Sequence, residues 1–445
     1  MFELKCTVSN LIAPNGSAKL NVISGHESYV SRLVNHEIDL ELYDAIVQRC
    51  KAFGVTENFK KVIDYFHVPA GETPAGFRIA YVLSPDGAVL ADLVRDISYD
   101  KNGQKRPTNL LFSADSANPY EVDSVKNLIA NLTCNPAIIY NQFINNPAAN
   151  VGGKYQTRDE VMADIGKMLG PGCDISVELN DPFGSSEEQI LEEAARFREL
   201  LSEYRVVIKV PHTGPVNAGN VKELMTGDKL FSKRYNQGTP EDFYRGHNLA
   251  LMLKEHGYRV NFTLMFEPYQ TAMALQARPY FINSFVMFRH SQSLQMVGML
   301  NAYKETGDPL FVEMLQKYMV ENDYLSSAER SGDKFAALTR ATDILKYRGF
   351  LDDPAADGLD GIRHNLRCLK QANLPDTRLI ICNVQGDRRD IYYPYVDRVL
   401  MEPEFVDMAD RVVMTAAPSL LAEYTSNPMV MQFHRRFMNA ANGAK

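Results

Sequence analysis

The stretch YRVVIKVPHTG, residues 204–214, sets one lysine inside an apolar run. Val206, Val207, Ile208 and Val210 predict a buried parallel strand, where an ammonium group is costly. Two readings of Lys209 are open. It is a strand-end lysine that snorkels to solvent or pairs with a neighbouring carboxylate, or it is an amine whose pKa burial depresses, able to form a Schiff base with a carbonyl. Glu178, in the equally apolar ISVEL, is a partner on the first reading and a proton carrier on the second. Asp115, in FSADSANPYEV, either joins the same proton transfers or caps the helix that follows it.

These residues need a scaffold that gathers distant strand ends. From residue 110 onward, short apolar segments rich in β-branched residues alternate with stretches of helical periodicity. Eight strands are predicted, at 110–116, 128–135, 173–179, 204–211, 258–266, 280–288, 378–384 and 410–416. Between the third and fourth, SSEEQILEEAARFRELLSEY opens on serine caps and acidic residues and carries an apolar stripe of Ile190, Leu191, Ala194, Phe197 and Leu201. The alternation predicts an α/β protein, a (β/α)8 TIM barrel over residues 108–445 with a helical insertion at 290–375 between strands six and seven. An open doubly wound sheet is the alternative, but no G-x-G-x-x-G follows a predicted strand.

Residues 1–107 form an N-terminal α/β extension of unassigned role, with a helix-like EIDLELYDAIVQRCKAF and a hairpin signalled by Pro-Asp-Gly in GFRIAYVLSPDGAVLADLV. DKNGQKRPTN reads as the linker to the barrel.

Chemistry in such a barrel gathers at the carboxyl ends of the strands, so polar residues there carry information. In chain order they are Asp115, Thr133 with Asn135, Glu178, Lys209, Asn261 with Thr263, and Asn283 with Ser284. The asparagines and threonines, taken singly, also fit the satisfaction of loop backbone groups.

Composition narrows the partners. The 445 residues are 45% hydrophobic and 23% charged, as in ordinary globular proteins, and the net charge of -8 offers no basic stripe for nucleic acid or an anionic membrane. No leader pattern or apolar run of spanning length is present, so a cytoplasmic protein acting on a small molecule is expected. The six cysteines and nine histidines lack metal-site spacing, so neither a metal nor another cofactor is expected. NVGGKYQT fails as a phosphate loop. The oligomeric state stays open, a homo-oligomer included.

The ordered set resembles the transaldolase family, which includes fructose-6-phosphate aldolase-like enzymes. FSADSAN, NLTCNPAII, ISVEL, VVIKVP and GYRVNFTLMF are similar, in order, to that family's first five strand motifs. The resemblance implies aldol transfer without a metal, moving a dihydroxyacetone unit between sugar phosphates. Lys209 would carry the Schiff base, Asp115 would take the hydroxyl proton, and Glu178 and Thr263 would hold a proton-relaying water. Asn135 and Asn261 would hold the three-carbon unit, with Thr133, Ser284 and Asn283 in support.

Where the resemblance implies a phosphate-binding arginine on strand six, this chain has Phe288, with Arg289 one residue late. A displaced phosphate site from Arg289, Arg388 and Arg389 is one expectation, and solvated surface charge the other. Lys229, Lys233 and Arg234 in the long loop after Lys209 are further candidates. Two rivals to transfer remain: an aldolase releasing free dihydroxyacetone or using an unusual sugar, and a non-catalytic binding barrel.

Overall fold

The computed structural model describes residues 6–12, 20–69, 72–102, 104–351, 358–382 and 393–443. Packing divides the chain into two compact units, Met1–Pro107 with Leu169–Asp174, and Thr108–Met168 with Ile175–Lys445.

In the first unit β1 (Cys6–Thr7) pairs antiparallel with β3 (Glu37–Ile38). A four-stranded sheet has the order β2 (Asn21–Val22), β4 (Ala52–Val55), β6 (Ala88–Arg95), β5 (Phe77–Leu83). The expected hairpin is β5–β6, closed where Gly87 adopts a φ of 76°, a conformation that costs a residue without Cβ little. The helix expected over EIDLELYDAIVQRCKAF is shorter, Leu40–Arg49. Asp39 caps its start, and the flanking residues are taken into β3 and β4.

The second unit is a closed barrel of eight parallel strands: β7 (Leu111–Asp115), β8 (Asn131–Cys134), β9 (Asp174–Glu178), β10 (Val206–Pro211), β11 (Val260–Thr263), β12 (Phe281–Phe285), β13 (Arg378–Cys382) and β14 (Val412–Ala416), which closes on β7. Each predicted strand segment holds one of them. This is a (β/α)8 TIM barrel, its strands apolar because both of their faces are covered.

One boundary differs with consequence. The sixth strand stops at Phe285, and a helix, Val286–Thr306, begins at once. Phe288 and Arg289 are therefore helical, and the side-chain alternation of a strand does not apply to them. That helix, with Leu310–Glu321 and Lys334–Tyr347, makes the insertion between strands six and seven. The three enclose their own apolar cluster, including Met296, Leu315, Met319, Ala337, Ala341 and Leu345.

Candidate active site at the carboxyl end of the barrel

Parallel registration does for the polar residues what sequence distance cannot. Glu178 on β9 stands opposite Lys209 on β10, which stands opposite Asn261 on β11. The Lys209 ammonium lies 3.2 Å from Glu178 Oε2 and donates to the Cys134 carbonyl at 3.1 Å. Its side chain is only 6% exposed, so it does not snorkel to solvent.

The lysine's titration departs from the expected depression. Burial does push the ammonium pKa down, but the facing carboxylates of Glu178 and Asp115 more than offset it, and the group titrates above its ordinary value. Lys209 is thus charged at rest. Asp115 moves the other way: burial raises it, Lys209 opposes, Glu178 reinforces, and its carboxyl rises from 3.8 to about 6.

Asp115 is also released from the capping role open to it. Asn118 caps helix Pro119–Val125, accepting from Tyr120 N at 3.0 Å, while Ser116 Oγ accepts from Asn118 N. The carboxylate faces a cavity of about 320 Å³ instead. Thr133, which registers with Asp115, lines the same cavity, as do Asn135, Lys209 and Asn283. Asn135 has a second duty there, since its Oδ1 accepts from Ile138 N at 2.9 Å at the start of the following helical turn.

Glu178, Asn261 and Thr263 do not line this cavity. Glu178 reaches it through Lys209. Asn261 is joined to it through Asn283, whose Nδ2 donates to Asn261 Oδ1 at 2.5 Å and to the Phe262 carbonyl at 2.8 Å. Asn261 Nδ2 is left buried with no hydrogen-bond partner. Thr263 is buried two register positions beyond Asn261, opposite Pro211.

Four expectations fail or fall outside. Ser284 follows Asn283 on one strand, so the two point to opposite faces, and its hydroxyl lies against Gly361 in the helical layer rather than in the cavity. Arg289 is turned into a buried ion network: Nε binds Glu267 at 2.8 Å, Nη1 binds Asp360 at 2.5 Å, and Arg348 takes the other Glu267 oxygen. Its Nη2 is buried without a partner and does not open onto the cavity. Arg388 and Arg389 lie outside the described residues. Of the long loop, none of Lys229, Lys233 and Arg234 lines the cavity.

Other residues of the site went unforeseen. Cys382, at the end of β13, lines the cavity and donates its thiol to Asn283 Oδ1 at 2.8 Å. Thr415 of β14 lines it with a buried hydroxyl that has no partner. One layer deeper, Asn131 donates to Ser113 at 2.8 Å and accepts from Ser176 at 3.0 Å, a satisfied polar brace beneath Asp115, Thr133 and Glu178. The signal was present as polar residues two positions before each of those three, the repeat of a single strand face. A larger groove, about 650 Å³, is lined by Arg234, Tyr235, Tyr269 and insertion residues, and holds no member of the lysine cluster. Among the described residues no group of three or more His, Cys, Asp or Glu could hold a metal ion, and no helix is long and apolar enough to cross a membrane.

The fold and the cavity define a (β/α)8-barrel protein with a buried lysine and carboxylates at its strand ends. Residues 112–326 match the model of the Transaldolase/Fructose-6-phosphate aldolase family, a family of enzymes. The match supports an aldolase-type function. No curated protein matches the sequence. Among solved structures, one described as an aldo/keto reductase from Brucella melitensis is 10% identical, covering 60% of this chain and 100% of that one at a TM-score of 0.25.

Proposed function

We propose that the protein catalyses aldol transfer of a dihydroxyacetone unit through a Schiff base on Lys209. The observation that carries this is the contact of the buried Lys209 ammonium with Glu178, beside a cavity that Asp115 also lines. Glu178 takes a proton from the ammonium, and the free amine adds to the ketone carbon of the donor. The same proton then goes to the carbinolamine hydroxyl, which leaves as water and yields the iminium with Glu178 ionised again. Asp115 next removes the hydroxyl proton from the carbon beyond the bond to be broken. The electrons of that carbon–carbon bond move to the iminium nitrogen, an aldehyde departs, and a neutral enamine stays on the lysine. An acceptor aldehyde reverses the step: the enamine carbon attacks its carbonyl carbon, Asp115 returns the proton to the new alkoxide, and water releases the product. Asn135 and Asn283, which line the cavity, hold the hydroxyls of the three-carbon unit, and Asn261 positions Asn283 from behind.

The test is borohydride trapping. Incubation with fructose 6-phosphate or dihydroxyacetone should add the mass of the reduced adduct at Lys209, and Lys209→Met should abolish it. Absence of an adduct with either donor would leave a binding barrel as the better reading. Acceptor dependence separates transfer from release. Transfer requires that donor cleavage stall until an aldehyde is supplied, whereas steady liberation of dihydroxyacetone without one marks an aldolase.

A further inference from the structure

We propose that this cavity takes an aldehyde bearing an unphosphorylated apolar or aromatic group, in place of a sugar phosphate. The proposal rests on the Schiff-base reading and adds the chemical class of the acceptor.

Part of the cavity lining is apolar. Phe285, Phe288 and Ile138 form that part, and Phe288 is 53% exposed although its ring stands in a concave site. Phe266 backs this wall, with ring centroids 4.7 Å from Phe285 and 6.2 Å from Phe288. An open aromatic face held in place by other rings suits burial of a ligand's apolar part, since little side-chain freedom is lost on contact.

The charges point the same way. Asp115 and Glu121 both line the cavity, and Ser116 donates to the Glu121 carboxylate at 3.1 Å, which fixes it there. Lys209 is the one cation lining the cavity among the described residues, and its charge is engaged by Glu178. A phosphate dianion in this space would lie near two carboxylates. The arginine next in sequence to Phe288 offers no relief. Arg289 is buried on Glu267 and Asp360, so turning it toward the cavity would strip Asp360 of this partner and leave Glu267 with Arg348 alone.

The bond made is the one already described, between the enamine carbon and the acceptor's carbonyl carbon, with the proton returned by Asp115. Only the group carried by the acceptor is at issue.

The experiment uses the full chain with dihydroxyacetone as donor and three acceptors in separate reactions: phenylacetaldehyde, D-glyceraldehyde and D-glyceraldehyde 3-phosphate. Products are quantified by mass spectrometry, and borohydride trapping of dihydroxyacetone on Lys209 is run alongside. Expected is a kcat/KM for phenylacetaldehyde at least tenfold above that for glyceraldehyde 3-phosphate. Phe288→Ala should cut the ratio of phenylacetaldehyde to glyceraldehyde about tenfold, and Phe288→Arg should shift preference toward the phosphate. Trapping of dihydroxyacetone together with a preference for glyceraldehyde 3-phosphate overturns this proposal alone, as does a ratio unchanged in Phe288→Ala. Failure to trap dihydroxyacetone removes the Schiff base and this proposal with it.

Discussion

Replacing Lys209 by methionine should destabilise the protein in a way that grows with pH. The ammonium sits 3.2 Å from Glu178 in surroundings that leave the two side chains 6% and 14% exposed. Removing one partner of such a buried pair costs about 3–5 kcal/mol, because the other charge loses its compensation. Asp115 supplies the pH dependence. Its folded pKa is raised, chiefly by burial, to about 6, and Lys209 is what holds it from rising further. A carboxyl whose folded pKa exceeds its unfolded value favours the folded state most fully below the unfolded value, and that contribution is lost as pH rises through the folded pKa. Without the lysine the folded pKa climbs above 6. Each further unit then widens the gap between wild type and variant by about 1.4 kcal/mol once the pH exceeds both values.

Urea unfolding at pH 5, 6.5 and 8 measures this directly. The chain has no tryptophan, so far-ultraviolet circular dichroism is the signal of choice. The expected deficit of Lys209→Met is about 3–5 kcal/mol at pH 5, where Asp115 is protonated in both proteins and only the broken pair counts, and it is larger at pH 8 by about 1.4 kcal/mol for each unit that Asp115 has climbed. A deficit that stays constant across that range would refute the electrostatic coupling of Asp115 to Lys209, and with it the account of the resting site.

Two further outcomes follow from the same geometry. The rate of donor cleavage should rise with pH along a limb centred near 6, as Asp115 becomes the base, and Asp115→Asn should abolish that limb together with most of the activity, as a pH profile of kcat will show. Gly246→Ala in helix Pro240–Glu255 should destabilise by about 1–3 kcal/mol instead of giving the gain usual for Gly to Ala in a helix. A Cβ there would lie 2.2 Å from the Pro211 carbonyl at the end of the lysine strand, and thermal unfolding distinguishes the two outcomes.

The barrel was legible because each strand is a short β-branched run set between helical stretches, and because a polar residue in such a run has few inexpensive explanations. Lys209, Glu178 and Asp115 stood out for that reason alone. Facing was less legible. Asn283 and Ser284 are adjacent and polar, and only the backbone decides which of them enters the barrel. Arg289 could not be placed without knowing that the helix begins at Val286, which turns the arginine toward Glu267 and Asp360. The sign of the lysine's shift was hidden for a related reason. Its sequence neighbours are apolar and argue for depression, while the carboxylates that reverse it come from β7 and β9, strands distant in the chain.

That reversal bears on how a barrel can hold such a site and still fold. A buried amine kept neutral by burial would need no partner, but it would also have no protonated acid beside it to drive carbinolamine dehydration. Here the resting charge is compensated by Glu178, and the proposed chemistry moves one proton from the ammonium to Glu178 and on to the departing hydroxyl. Net charge inside the wall is then unchanged until the iminium forms, which replaces the ammonium's charge with its own at the same atom. Asp115 completes the logic. Its pKa near 6 leaves it ionised at neutral pH yet able to hold a proton during the interval when the enamine is neutral. Beneath them the Ser113–Asn131–Ser176 brace, each hydrogen bond satisfied within the barrel, fixes the three strands that carry Asp115, Thr133 and Glu178. The polar content of the wall is thus arranged in layers, the lower one closed on itself and the upper one left open toward a substrate.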